Sequence, residues 1–93
     1  MFTWLNKQGV KSDKGFIVQS VARFVIEYRE ANKCISIEVE SDYAPGMKPI
    51  EKISMNILSK WDDGTPITEE TQKEILKNFT EAMEFQGIGV IVE

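Results

Sequence analysis

Histidine is missing from the 93 residues altogether, and this absence excludes more chemistry than any residue present supports. Hydrolytic triads, cysteine-histidine nucleophile pairs and histidine-based metal sites all depend on an imidazole as base or ligand. Cysteine occurs once, at Cys34, so no disulfide can close within the chain, which suits a reducing compartment. No apolar run approaches the ~18 residues of a membrane span, and the opening MFTWLNKQGVKSDKG lacks the apolar stretch of a secretory signal. A phosphate loop is missing too: GVKSDKG at 9–15 does not place four residues between a first glycine and a Gly-Lys pair. The expectation is a soluble cytoplasmic protein with no membrane partner.

What is present, 42% hydrophobic and 28% charged residues, suits a single compact domain over 1–93 with no room for a second core. A chain of this size has a modest stability, on the order of 5 to 10 kcal/mol. The net charge of −4 is unevenly spread: residues 1–60 hold nine Lys or Arg against seven acids, and residues 61–93 hold two lysines against eight acids. Nucleic-acid binding requires basic surface that displaces counterions from phosphate, which an acidic chain does not offer, so no nucleic-acid partner is expected. A basic protein fits better.

Strand periodicity runs from Phe16 to Tyr28 through Phe16, Val18, Ala22, Phe24, Ile26 and Tyr28. The run is long for one strand, so a break near QSVA at 19–22 is expected. The next run, CISIEVES, puts Ile35, Ile37 and Val39 on one face and Cys34, Ser36, Glu38 and Glu40 on the other. A two-residue turn at Ala31 and Asn32 pairs Glu30 with Lys33, Tyr28 with Ile35, Ile26 with Ile37 and Phe24 with Val39, and brings Arg23 against Glu40; a slip by one residue would mismatch the apolar set. After the APGMKP loop at 44–49, IEKISMNIL resumes alternation through Ile53, Met55 and Ile57, another expected strand. From Glu69 the period changes: Ile75, Leu76, Phe79, Ala82 and Met83 form one helical stripe, Gly87 is placed to cap it, and IGVIVE reads as a closing strand. Phe85 falls off the stripe by roughly a third of a turn and needs other cover, for instance from that strand. The fold class is α+β: an antiparallel sheet of four to five strands, with one C-terminal amphipathic helix packed on one face. Residues 1–14 are an N-terminal extension in which FTWLNKQG forms a short helical turn ending at Gly9. The polar second sheet face is a solvated one.

Three chemical readings of single residues weaken under inspection. Cys34 becomes a reactive thiol only if a cation lowers its pKa, and the hairpin register places Arg29 opposite it. Glu38 and Glu40 lie on one face two residues apart, a spacing that could serve paired-carboxylate catalysis and is also ordinary on a solvent-facing strand. The segment WDDGTPITEE at 61–70 aligns with a calcium loop at Gly64 and Glu70, but Ser59 and Trp61 stand where carboxylates are needed. No metal or other cofactor is expected. Most of that segment reads as a turn and a helix start, with Thr68 as N-cap and Glu69 and Glu70 at the positive end of the helix dipole. Trp61, Asp62 and Asp63 are left over.

The ordered segments WLNKQGV, GFIVQSVARFVIEYRE, an isolated glutamate after the second hairpin strand, SKWDDGTPITEE and ILKNFTEAMEFQGI resemble small immunity proteins of bacterial polymorphic toxin systems, the immunity family numbered seventy-four, over most of the chain. The resemblance implies an α+β domain that binds and neutralises a cognate toxin without catalysis. Under it, Trp61 is the aromatic contact, flanked by Asp62 and Asp63 with Glu69 and Glu70 nearby, a set suited to a basic toxin surface. The alternative is that Trp61 folds over the helix or sheet edge. A different class of function is a small binding or structural module with another partner, dimeric through an exposed strand edge.

Overall fold

Strand follows strand through the first 38 residues of the computed structural model, which describes every residue from Met1 to Glu93. β1 (Phe2–Asn6), β2 (Gly9–Ser12), β3 (Phe16–Ala22), β4 (Val25–Glu30) and β5 (Lys33–Glu38) form an antiparallel five-stranded meander in chain order. β6 (Glu40–Ala44) and β7 (Lys48–Ile53) then pair as a hairpin, a 3-10 turn spans Met55–Leu58, and the chain runs through helix α1 (Glu69–Phe85) to β8 (Gly89–Val92). β8 joins β7 and completes a second, three-stranded sheet. The fold is α+β.

The β4–β5 register follows the apolar pattern, with Glu30 opposite Lys33, Tyr28 opposite Ile35 and Ile26 opposite Ile37. It is held by burial, not by turn chemistry: Ala31 takes a left-handed φ of 55° in the turn, a conformation that disfavours any side chain. One slip would turn Ile35 and Ile37 to solvent, which costs more than the strain. Val18, Ile26, Tyr28, Ile35 and Ile37 of the sheet meet Ile75, Phe79, Ala82 and Met83 of α1, all nearly inaccessible to solvent, in one core. Within it the Tyr28 hydroxyl donates to Glu30 Oε1 (3.0 Å) and accepts from Asn78 Nδ2 (3.1 Å), so neither buried polar group lacks a partner.

The helix ends are those expected. Thr68 is the N-cap and its hydroxyl accepts from the Thr71 N–H (3.3 Å). Past the C-cap Gln86, Gly87 has a φ of 82°, its N–H donates to the Glu84 carbonyl (2.9 Å), and Ile88 N–H donates to the Met83 carbonyl (2.9 Å), the paired bonds of a Schellman motif.

Several sequence expectations are corrected or sharpened. Residues 1–14 hold no helical turn but the β1–β2 hairpin, with the Asn6 side chain accepting from Gln8 N–H (2.7 Å) in the turn. Gly9 is there because the chain passes close to β3: a Cβ on it would lie 2.9 Å from Gln19 Cβ. The break in the long apolar run falls at Arg23 and Phe24, just beyond QSVA, and it is a full reversal between β3 and β4. Phe24 keeps a backbone link to its expected partner, its carbonyl accepting from Val39 N–H (2.9 Å), but its ring is 49% exposed and Arg23 lies over it instead of facing Glu40. Met55 and Ile57 belong to the 3-10 turn, because alternation over so few residues does not separate a strand from a tight turn. Phe85 is contacted by Phe2 and Trp4 of β1. The closing strand runs parallel to β7, since a helical crossover returns the chain in the direction it left.

Candidate partner-binding surface

The segment Trp61–Thr65 closes on itself and clasps the outer edge of β5. Trp61 N–H donates to the Thr65 carbonyl and Gly64 N–H to the Trp61 carbonyl, each at 2.9 Å, and Gly64 supplies the φ of 91° that the reversal needs. Asp63 Oδ1 accepts from Thr65 N–H (2.9 Å), the Asx pairing that an aspartate two residues before a turn donor makes.

The three leading side chains alternate across the β5 edge as a strand's would. Trp61 turns inward, is 8% exposed, and lies against Tyr28 with ring centroids 6.5 Å apart. Asp62 turns outward: its N–H donates to the Cys34 carbonyl (2.9 Å), Oδ1 accepts from Ser36 N–H (3.0 Å) and Oδ2 from the Ser36 hydroxyl (2.9 Å). Asp63 returns to the helix side and pairs with Lys33 Nζ at 2.9 Å, while Lys33 also donates to Thr65 Oγ1 (3.3 Å). The backbone groups that β5 would leave open at Cys34 and Ser36 are thereby taken up, a common way to blunt a sheet edge. The opposite edge, β1, has no neighbouring strand beyond it and carries the half-exposed Trp4 and Leu5.

Of the five residues singled out in the sequence, Trp61 is therefore core, as in the alternative reading, and its ring is not offered to a partner. Asp62 is turned to Ser36. Asp63, Glu69 and Glu70 remain exposed, the last two in the first turn of α1 without an ion-pair partner. Sequence reasoning missed Lys33 and Ser36, which receive this loop from about thirty residues away; the Asp-x-Thr spacing signals the turn but nothing local signals its dock.

Electrostatics follow the geometry. Hydrogen bonds from the Thr65 side chain and N–H, then from Lys33, hold the Asp63 carboxyl well below the usual carboxylate range. A lowered folded-state pKa stabilises the fold above the unfolded value and loses that effect as pH falls through the folded one. Urea unfolding between pH 5 and pH 2.5 should therefore show a fall in stability beginning near about pH 4, and Asp63→Asn should make that fall shallower. An unchanged acid slope in the variant would count against the Lys33–Asp63–Thr65 clasp. Desolvation, then the Asp62 carboxylate, pushes the Cys34 thiol up despite Arg29 across the strand pair, the opposite of the lowering that a reactive thiol needs. No three His, Cys, Asp or Glu side chains converge as a metal site.

No family model, curated protein or solved structure matches the chain.

Proposed function

We propose that the chain is a non-catalytic immunity protein, acting in the cytoplasm, that binds a cognate bacterial toxin of basic surface and neutralises it. The observation that carries this reading is the run of exposed carboxylates that the Trp61–Thr65 loop and the helix start after it present. Asp63 is held by Lys33 Nζ and Thr65 N–H, and Glu69 and Glu70 stand free on a capped helix start. Carboxylates without an ion-pair partner of their own, as at Glu69 and Glu70, steer a partner of opposite sign. In this reading Trp61 is the pedestal beneath the loop, Asp62 is its fastening, and Asp63, Glu69 and Glu70 touch the partner.

Cells that express the toxin encoded beside this protein are expected to survive when the protein is co-expressed, and to lose that protection with Glu69→Lys/Glu70→Lys. Both positions are exposed, so the variant should fold with only a modest loss from placing lysines at the positive end of the helix dipole, and its complex should weaken by about tenfold to a hundredfold at low salt. Circular dichroism checks the fold and titration calorimetry the affinity. Failure of the wild-type protein to protect against any neighbouring toxin overturns the reading.

A further inference from the structure

At the far end of β5 from the Asp63 loop, the β3–β4 turn and the β5–β6 junction enclose a groove of about 440 Å³ lined by Phe24, Val25, Glu38, Val39, Glu40 and Ser41. Its floor is apolar, and Phe24 in it is 49% exposed. Its rim carries two carboxylates. Neither Glu38 nor Glu40 has an ion-pair partner; Lys52, which stands across from Glu40 in the β6–β7 pair, directs its ammonium to Asp42 instead (3.2 Å). The Phe24 ring already attracts one cation, with the Arg23 guanidinium 5.2 Å from its centroid, yet Arg23 does not line the groove.

An apolar floor with unpaired carboxylates at its rim matches an arginine or lysine side chain, whose methylene stem prefers apolar contact while its charged head seeks oxygen acceptors. We infer that this groove takes such a side chain from a basic protein partner, with the stem over Phe24, Val25 and Val39 and the head between Glu38 and Glu40. The groove is open to solvent where ligand pockets bury most of a small molecule, which suits a side chain carried on a protein surface. Lys33 and Glu38 are the two ends of β5, so groove and Asp63 loop are about 17 Å apart along the edge. A standard interface, roughly 800 Å² per partner, spans both. The inference rests on the proposed basic partner and adds to it a second contact, the one that chooses side-chain chemistry.

The test uses the full chain and blocked arginine (N-acetyl-arginine methylamide), followed by amide chemical shifts, with blocked leucine and spermidine as separate arms. Shifts are expected at Phe24, Val25 and Glu38–Ser41 with the arginine probe, reduced roughly fivefold by Glu38→Gln/Glu40→Gln and by salt. Phe24→Ala should reduce them as well. Shifts spread evenly over all acidic surface, or insensitive to the glutamine variant, overturn the groove. Tighter binding of spermidine than of arginine at these amides replaces the protein side chain with a free polyamine and overturns the proposal as stated. Arginine binding here without toxin protection sinks the immunity reading and leaves the groove; protection that persists without arginine binding does the reverse.

Discussion

Trp61→Ala is expected to lower the unfolding free energy by about 3 to 5 kcal/mol, the cost of removing a large buried aromatic side chain from a core that cannot fully collapse around the gap. Against a total on the order of 5 to 10 kcal/mol, that takes the protein to the edge of folding, and thermal denaturation should show a drop of well over about 10 °C. The reason is specific to the position: the indole is 8% exposed, lies on Tyr28, and sits at the base of the loop that clasps β5. Trp61→Phe, which refills part of the volume, should recover much of the loss. A surface role for the indole predicts the opposite pattern, in which melting is unchanged and affinity for the partner collapses. Should Trp61→Ala melt like the wild-type protein, Trp61 as a core residue is refuted.

Asp62 tests the edge itself. Asp62→Ala strips the acceptor from Ser36 N–H and from the Ser36 hydroxyl, and a lost hydrogen bond to a charged group is worth about 1.5 to 3 kcal/mol. It also uncovers part of β5, so the variant should aggregate at lower concentration and temperature than the wild-type protein. Asp62→Asn keeps an oxygen for Ser36 N–H and should lose about half as much or less, because the neutral acceptor is the weaker one. Hydrogen exchange at Ser36 N–H gives the most direct reading: fast in the alanine variant, near wild type in the asparagine one. Equal exchange in all three proteins would mean that Asp62 does not fasten the loop. The two substitutions also separate stability from binding, since Glu69 and Glu70 lie outside both networks.

The free edge at β1 and the fastened edge at β5 give the molecule a polarity. β1 is flanked by the aromatic set Phe2, Trp4 and Phe85, whereas the β5 edge is lined by carboxylates. Under the proposed function, a basic partner would meet the β5 side.

Much of this was legible in the chain because it is a matter of period. Alternation over Val25–Glu38 set a hairpin whose register admits one burial solution, and the stripe from Ile75 to Met83, bounded by Thr68 and Gly87, set the helix and both its caps. The β1–β2 hairpin was not legible, since FTWLN is apolar in a way that suits a short helix or a strand, and its choice depends on β3 lying beside it to receive Gly9 and Val10. The three-stranded second sheet was not legible either: β6 alone shows no periodic burial and pairs with β7 through a hairpin, and the third strand, β8, reaches β7 only by the helical crossover.

The candidate site divides the same way. That 61–70 is a turn leading into a capped helix, and that the acids gather in the final third, are properties of residue type and spacing, which local sterics and charge decide by themselves. Whether Trp61 faces water or the core, whether Asp62 binds a partner or Ser36, and whether Glu38 and Glu40 border a groove are decided by which segments meet across about thirty residues of chain or at a strand end. Burial and pairing are pairwise quantities, set by neighbours in space, so they came into being only when the loop closed on the edge of β5.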